Sequence, residues 1–190
     1  MRLILLILAF AAIGGCDRQK ADVQQGNEAP AVAGVPTKGV DRSHKGKPEP
    51  ATVFKDPDGG DTSLADFKGS PVLVNLWATW CAPCVKELPT LDRLAQSHAI
   101  DGDLGVIAVS QDMGPHNSVK AFLDKLGVKD LGAYQDPAMA LSGGLQAEVL
   151  PTTILFNRDG REVWRYVGDL DWSGPEAAKL LAEAGAAGKS

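Results

Sequence analysis

The chain has little cysteine, no cluster of basic residues and no repeated segment. Only 3 of its 190 residues are cysteine, which excludes a miniprotein held together by disulfides. The 19 lysines and arginines form no block and are outnumbered by 24 acidic residues, so a nucleic-acid-binding surface is not favoured. There is no glycine-rich phosphate loop. The composition, 44% hydrophobic and 23% charged, is that of a globular protein with room for one domain and an extension.

The first residues have the layout of an export signal. Arg2 supplies a positive charge, residues 3–13 are apolar, and Gly14 and Gly15 stand at the position of a cleavage site. The apolar run is shorter than the roughly 20 residues of a membrane-spanning helix, so a permanent transmembrane anchor is disfavoured. The sequence therefore predicts a signal peptide over residues 1–15.

The residues around the cleavage site resemble a bacterial lipobox, which predicts that Cys16 becomes the lipid-modified N-terminus of the mature protein. An ordinary secretory signal is the alternative. Asp17 resembles the signal that keeps some lipoproteins in the inner membrane, so we expect an inner-membrane-anchored lipoprotein facing the periplasm. Residues 16–48 show no apolar periodicity and predict a flexible tether. Residues 49–188 are then the folded domain.

Strand-like and helix-like segments alternate in the folded domain. The apolar run 72–77 predicts a strand buried on both faces, and from residue 83 onward the apolar residues follow helical spacing. Further segments predict an extended start at 51–54, a turn at 56–60, a helical turn at 63–69, a strand at 105–110, a helix at 118–126, a hairpin over 151–167 and a last helix at 176–184. This order predicts an α/β sandwich, with a mixed central sheet and helices on both faces.

Two cysteines mark the point where strand gives way to helix. Cys81 stands at the predicted start of the helix, where unpaired N–H groups stabilise a thiolate. Two intervening residues place Cys84 one helical turn further on, close enough for a disulfide. Pro83 is tolerated in the first turn, because the N–H it lacks would have no partner there. The spacing indicates a redox-active dithiol.

Three alternative roles for the cysteine pair are less favoured. A structural disulfide across so short a loop contributes little stability. A zinc site would need two more ligands, but His98 and His116 lack the usual zinc-ligand spacing. Two inert buried cysteines would not require the flanking tryptophans and Pro83.

The segment WATWCAPCVKELP at residues 77–89 resembles the active site of thioredoxin-fold proteins, and specifically that of the TlpA-like thiol-disulfide oxidoreductases related to ResA and CcmG. The resemblance covers roughly residues 50 to 185 and includes DPDGG, SLADFKG, VIAVSQD, LPTTILFNRDG and GDLDW, in that order. It implies a thioredoxin-like three-layer sandwich with an N-terminal extension. It also implies a redox disulfide as the reacting group, with no bound cofactor or metal.

The resemblance assigns roles to individual residues. Cys81 matches the exposed nucleophile that forms a mixed disulfide with a client protein, and Cys84 matches the resolving cysteine. Pro151 matches a proline that is cis in this fold and lies beside the cysteines. Leu150 would offer backbone groups to an extended substrate.

Three further residues would form the substrate-facing rim of the site. Trp80 matches an aromatic residue that shields the disulfide, with plain core packing as its alternative. Ala82 and Pro83 lie between the cysteines. Trp77, on the strand, is predicted to be a core residue.

One position departs from many thioredoxins, which carry a buried aspartate six residues before the first cysteine. Asn75 occupies that position and cannot accept a proton. Glu87, three residues after Cys84, matches an acidic residue of the TlpA-like group, and we expect it to handle the proton of the buried thiol. A solvated surface glutamate is the alternative.

These observations predict a membrane-tethered reductase of client protein disulfides, supplied with electrons by an inner-membrane donor of the DsbD or CcdA type. The resemblance implies clients such as apocytochrome c or proteins that assemble a copper centre. A dithiol oxidase that introduces disulfides, and a Cu(I)-binding metallochaperone of the same fold, stay open as alternatives. A peroxidase is less favoured, because Cys81 has a resolving partner only three residues away.

Overall fold

The computed structural model of the chain describes residues 37–101 and 103–186. The predicted signal peptide, Cys16 and the first part of the predicted tether lie outside the described residues. Within the described ranges, no helix has the length and apolar character needed to cross a membrane.

A mixed sheet forms the centre of the domain. Its strands in the described ranges are β1 (Gly39–Asp41), β2 (Val53–Lys55), β3 (Asp61–Ser63), β4 (Val72–Trp77), β5 (Gly105–Ser110), β6 (Tyr134–Gln135), β7 (Thr152–Phe156) and β8 (Glu162–Val167). Across the sheet they follow the order β1-β8-β7-β4-β5-β6-β2-β3. Strands β4, β5 and β6 run parallel, whereas β7 is antiparallel to β4 and to β8. The predicted strand at 72–77 is confirmed, and it is buried along its whole length.

The helices are α1 (Ala82–Asp101), α2 (His116–Leu126), α3 (Ala140–Gly144) and α4 (Pro175–Ala186), with a short 3₁₀ turn over Leu64–Phe67. Gly127 ends α2 in the left-handed region with a φ of 75°, a conformation that glycine adopts without strain. The sequence pattern gave no prediction for β6 and α3.

Two apolar clusters lie on opposite faces of the sheet. Successive residues of β4 point to opposite faces, so Leu73 and Trp77 belong to one cluster and Val74 and Leu76 to the other. Helices α1, α2 and α4 contribute buried residues to the first cluster, and α3 contributes to the second. The predicted α/β sandwich with helices on both faces is confirmed.

The predicted tether is wrong over its last residues. Gly39–Asp41 pair antiparallel with β8, and the backbone N–H of Gly46 donates to the carbonyl oxygen of Glu162 at 2.7 Å. Without this segment the outer edge of β8 would leave its backbone polar groups unpaired. The segment carries no apolar periodicity, so its strand is selected by that edge and not by its own sequence.

Candidate active site

The site is built at the junction between β4 and α1. The strand ends at Trp77, and the loop 78–80 leads to Cys81, whose N–H donates to the carbonyl oxygen of Ala78 at 3.1 Å. The carbonyl oxygen of Cys81 accepts a hydrogen bond from the N–H of Val85 at 3.0 Å, which is the first bond of the helical ladder. Cys81 is therefore the residue that caps α1, and Pro83 lies in the first turn, as predicted.

Cys81 and Cys84 form a disulfide. Cys84 is fully buried, and 7% of the surface of Cys81 is exposed. Cys81 is thus the more accessible residue of the pair, but the expectation of an exposed nucleophile is not met in this disulfide form, in which Cys81 is buried. The N–H of Cys84 points at Sγ of Cys81, 3.4 Å away. A thiolate formed on Cys81 would keep this donor and the positive end of the helix dipole beside it.

The peptide bond between Leu150 and Pro151 is cis, as the resemblance implied. In the antiparallel register of β4 and β7, Leu76 lies opposite Thr152, so Pro151 lies next to the end of β4 from which the cysteine loop departs. Leu150 is half-buried. The fold thus brings together two segments about seventy residues apart in the sequence.

The outer rim of the site is exposed. Trp80 has 69% of its surface accessible, so the alternative that it packs in the core is wrong, and Ala82 and Pro83 are exposed beside it. Trp77 is fully buried and stacks at an angle against Phe122 of α2, with ring centroids 5.9 Å apart. The prediction that Trp77 is a core residue is confirmed.

Glu87 lies inside the protein, on the same face of α1 as Cys84 three residues earlier. It is 2% exposed, so the alternative of a solvated surface glutamate is wrong. Its Oε1 accepts a hydrogen bond from Nδ2 of Asn75 at 2.8 Å, and its Oε2 accepts from the N–H of Leu170 at 3.0 Å and Nε1 of Trp172 at 3.3 Å. Burial raises the pKa of Glu87 to about 7, although these hydrogen bonds oppose the shift.

The residues that hold Glu87 were missed as site residues in the sequence. Asn75 also donates to Oγ1 of Thr153 at 2.9 Å, which ties the carboxylate to the central strand pair. Leu170 and Trp172 belong to the GDLDW segment. The resemblance of this segment to the family was the sequence signal that could have pointed to them. Asp112 was also missed: its carboxylate accepts hydrogen bonds from Thr79.

No group of three or more histidine, cysteine or acidic side chains is arranged to hold a metal ion within residues 37–101 and 103–186. The Cys81–Cys84 disulfide is a group that can itself exchange with thiols.

Comparison with known proteins agrees with a redox-active cysteine pair. The Redoxin family matches residues 24–181. The chain belongs to this family. The thiol-disulfide oxidoreductase ResA of Bacillus thuringiensis strain Al Hakam is 34% identical over 124 residues, which are 65% of this chain and 70% of that protein. ResA of Bacillus subtilis strain 168 is 31% identical over 126 residues, 66% of this chain and 68% of that one.

A solved structure is similar over most of the domain. The exposed lipoprotein thioredoxin of Streptococcus pneumoniae strain TIGR4 matches with a TM-score of 0.58 and 25% identity, covering 70% of this chain and 98% of that chain. Together, the Redoxin family, the ResA relatives and the disulfide identify this Redoxin protein as a TlpA- and ResA-like thiol-disulfide oxidoreductase of the thioredoxin superfamily. The recognition from sequence motifs is confirmed.

The raised pKa of Glu87 predicts a pH-dependent stability. Between the ordinary value of 4.5 and about 7, the folded protein holds a proton on Glu87 that the unfolded chain has released. Its contribution to stability is therefore complete below pH 4.5 and is lost as the pH rises through 7. Relative to Glu87→Gln, we expect the free energy of unfolding of the oxidised protein to fall by about 2 to 3 kcal/mol between pH 5 and pH 8. Urea unfolding of the wild type and of Glu87→Gln from pH 5 to pH 8 measures this change. If the difference in unfolding free energy between the two proteins does not vary with pH, Glu87 does not hold the extra proton.

Proposed function

We propose that this oxidoreductase works as a reductase of disulfides in client proteins outside the cytoplasm. The observation that carries the proposal is the Cys81–Cys84 disulfide at the start of α1, with the buried carboxylate of Glu87 one turn below it. A thiolate at a helix N-terminus is a good nucleophile at neutral pH, and a buried acid with a pKa near 7 is suited to exchange protons there.

The reaction takes two exchange steps. In the reduced protein the thiolate of Cys81 attacks one sulfur of the client disulfide, forms a mixed disulfide and releases the first client thiolate. Cys84 then loses its proton and attacks Sγ of Cys81, which restores the Cys81–Cys84 disulfide and releases the second client thiolate. Two electrons pass to the client, and no cofactor is consumed.

The rim residues receive their roles by resemblance to the family. The backbone next to the cis bond, at Leu150 and Pro151, would align an extended client segment beside the cysteines. Trp80, Ala82 and Pro83 would contact that segment from the helix side, since all three are exposed next to Cys81. Clients that fit this chemistry, again by resemblance, are apocytochrome c and proteins that assemble a copper centre.

The direction of the reaction depends on the reduction potential of the cysteine pair. We expect a potential near or below that of thioredoxin, about −270 mV, because a reductase must hold its electrons less tightly than its clients do. Equilibration of the purified chain with glutathione and dithiothreitol buffers measures it. Such a reductase would be re-reduced by an inner-membrane donor of the DsbD or CcdA type. A potential near −120 mV, in the range of strong oxidants, would instead make the protein a disulfide donor.

Glu87 is proposed to accept the proton of Cys84 during the second step. The rate at which a mixed disulfide between Cys81 and glutathione resolves should rise with pH through about 7 in the wild type. In Glu87→Gln we expect this inflection to vanish and the rate at pH 7 to fall by roughly tenfold to a hundredfold. Stopped-flow measurements from pH 5 to pH 9 test this, with the exposed Glu176→Gln as the matched control. Equal pH profiles for Glu87→Gln and the wild type would remove the assignment.

Anchoring through a lipid on Cys16 is proposed from the sequence around the cleavage site. The similar pneumococcal structure is that of a lipoprotein thioredoxin, which supports the proposal. We expect the chain expressed with its signal in a bacterial host to incorporate labelled palmitate and to sediment with membranes. Cys16→Ala should lose both properties. Soluble, unlabelled wild-type protein would instead favour an ordinary secretory signal.

A further inference from the structure

Three residues separate the buried end of β4 from Cys81, and the middle residue, Thr79, is hydrogen-bonded to a carboxylate. Oδ1 of Asp112 accepts the hydroxyl hydrogen of Thr79 at 2.7 Å, and Oδ2 accepts the backbone N–H of Thr79 at 3.0 Å. Thr79 is the middle residue of the loop 78–80, between the end of the strand and Cys81. Both polar groups that Thr79 can donate are therefore bound to the same side chain.

Asp112 is itself held firmly in place. Its N–H donates to Oγ of Ser110 at 3.1 Å, and that hydroxyl donates back to Oδ2 at 2.6 Å. Its carbonyl oxygen accepts a hydrogen bond from Nε2 of Gln135 at 2.7 Å. Ser110 and Gln135 are both fully or almost fully buried. Asp112 is thus bonded to residues of β5 and β6. Through its carboxylate, these strands restrain the loop 78–80 that follows β4.

Cys81 is bonded both to this loop and to α1. The N–H of Cys81 is bonded to Ala78, at the start of the loop, and its carbonyl oxygen begins the ladder of α1. A loop that can shift would let Sγ of Cys81 leave the position in which Cys84 can reach it. The equilibrium constant for closing a disulfide rises when the fold holds the two thiols in the geometry in which they react.

We propose that Asp112 is a positioning residue for the redox reaction, and that its carboxylate holds the Thr79 loop so that Cys81 stays aligned with Cys84 for disulfide closure. The inference rests on the proposed function only in taking the cysteine pair as the reacting group. It concerns the equilibrium between the dithiol and the disulfide, and not the direction in which a client is served.

The test is the equilibrium constant for closing the Cys81–Cys84 disulfide in glutathione buffers, measured on the full chain. For Asp112→Ala we expect the constant to fall about tenfold, which corresponds to a potential about 30 mV less negative. Loss of a merely structural contact would lower the melting temperature of the oxidised and reduced forms alike and would leave this constant unchanged.

Removing the negative charge of Asp112 could shift the potential in the same direction, because an anion destabilises a nearby thiolate. Two variants of Thr79 separate the two causes without changing any charge. Thr79→Val removes the hydroxyl donor while keeping the shape of the side chain, and we expect a shift of about threefold in the constant. Thr79→Ser keeps the hydroxyl and should match the wild type. Thr79→Val also serves as the test if Asp112→Ala does not fold.

The matched control is Asp124→Ala, which removes an exposed carboxylate paired with Lys120 on the same helix. It should leave the constant unchanged. A wild-type constant in Asp112→Ala, or equal constants in Thr79→Val and Thr79→Ser, would overturn the inference. A wild-type potential near −120 mV would defeat the proposed reductase function, while the difference between the variants and the wild type would still report on Asp112.

Discussion

The buried carboxylate of Glu87 connects three parts of this fold that lie far apart in the sequence. It lies on α1, takes a hydrogen bond from Asn75 on β4, and takes two more from the segment that follows β8. An ionised carboxylate is costly to bury without such donors. Because the donors are present, the group stays inside and its pKa rises only to about 7. The helix start that carries the cysteines is therefore coupled to the sheet and to the last loop through one titratable group.

We propose roles for two carboxylates on different sides of the cysteine pair. Glu87 lies one helical turn below Cys84 within α1, where we propose that it accepts the proton of that thiol. Asp112 lies beside the loop that precedes Cys81, where its three hydrogen bonds constrain the backbone and Ser110. The role proposed for Glu87 depends on protonation, and the role proposed for Asp112 depends on a rigid loop. Many thioredoxins have a buried aspartate at the position of Asn75, whereas here an amide at this position donates a hydrogen bond to Glu87. In the proposed reaction the proton acceptor therefore lies on the helix and not on the strand.

The edge of the sheet gives the domain its N-terminal boundary. Gly39–Asp41 add a strand beyond β8, and the contacts of Gly46 and Lys47 with Glu162 continue this pairing. Residues 39–41 and 46–47 thus belong to the folded domain and not to a tether, whether or not the chain is anchored through Cys16 as proposed.

The sequence by itself determined the elements around the site, because their signals are local. The apolar run of β4, the change to helical spacing after Pro83 and the two-residue gap between the cysteines each lie within a few neighbouring residues. The burial of Glu87 and the hold of Asp112 on Thr79 were decided only by the tertiary structure. Their partners are 12 to 85 residues away along the chain, and no local periodicity encodes a hydrogen bond over that distance. The strand β1 was likewise decided by an unpaired edge more than 100 residues away in the sequence.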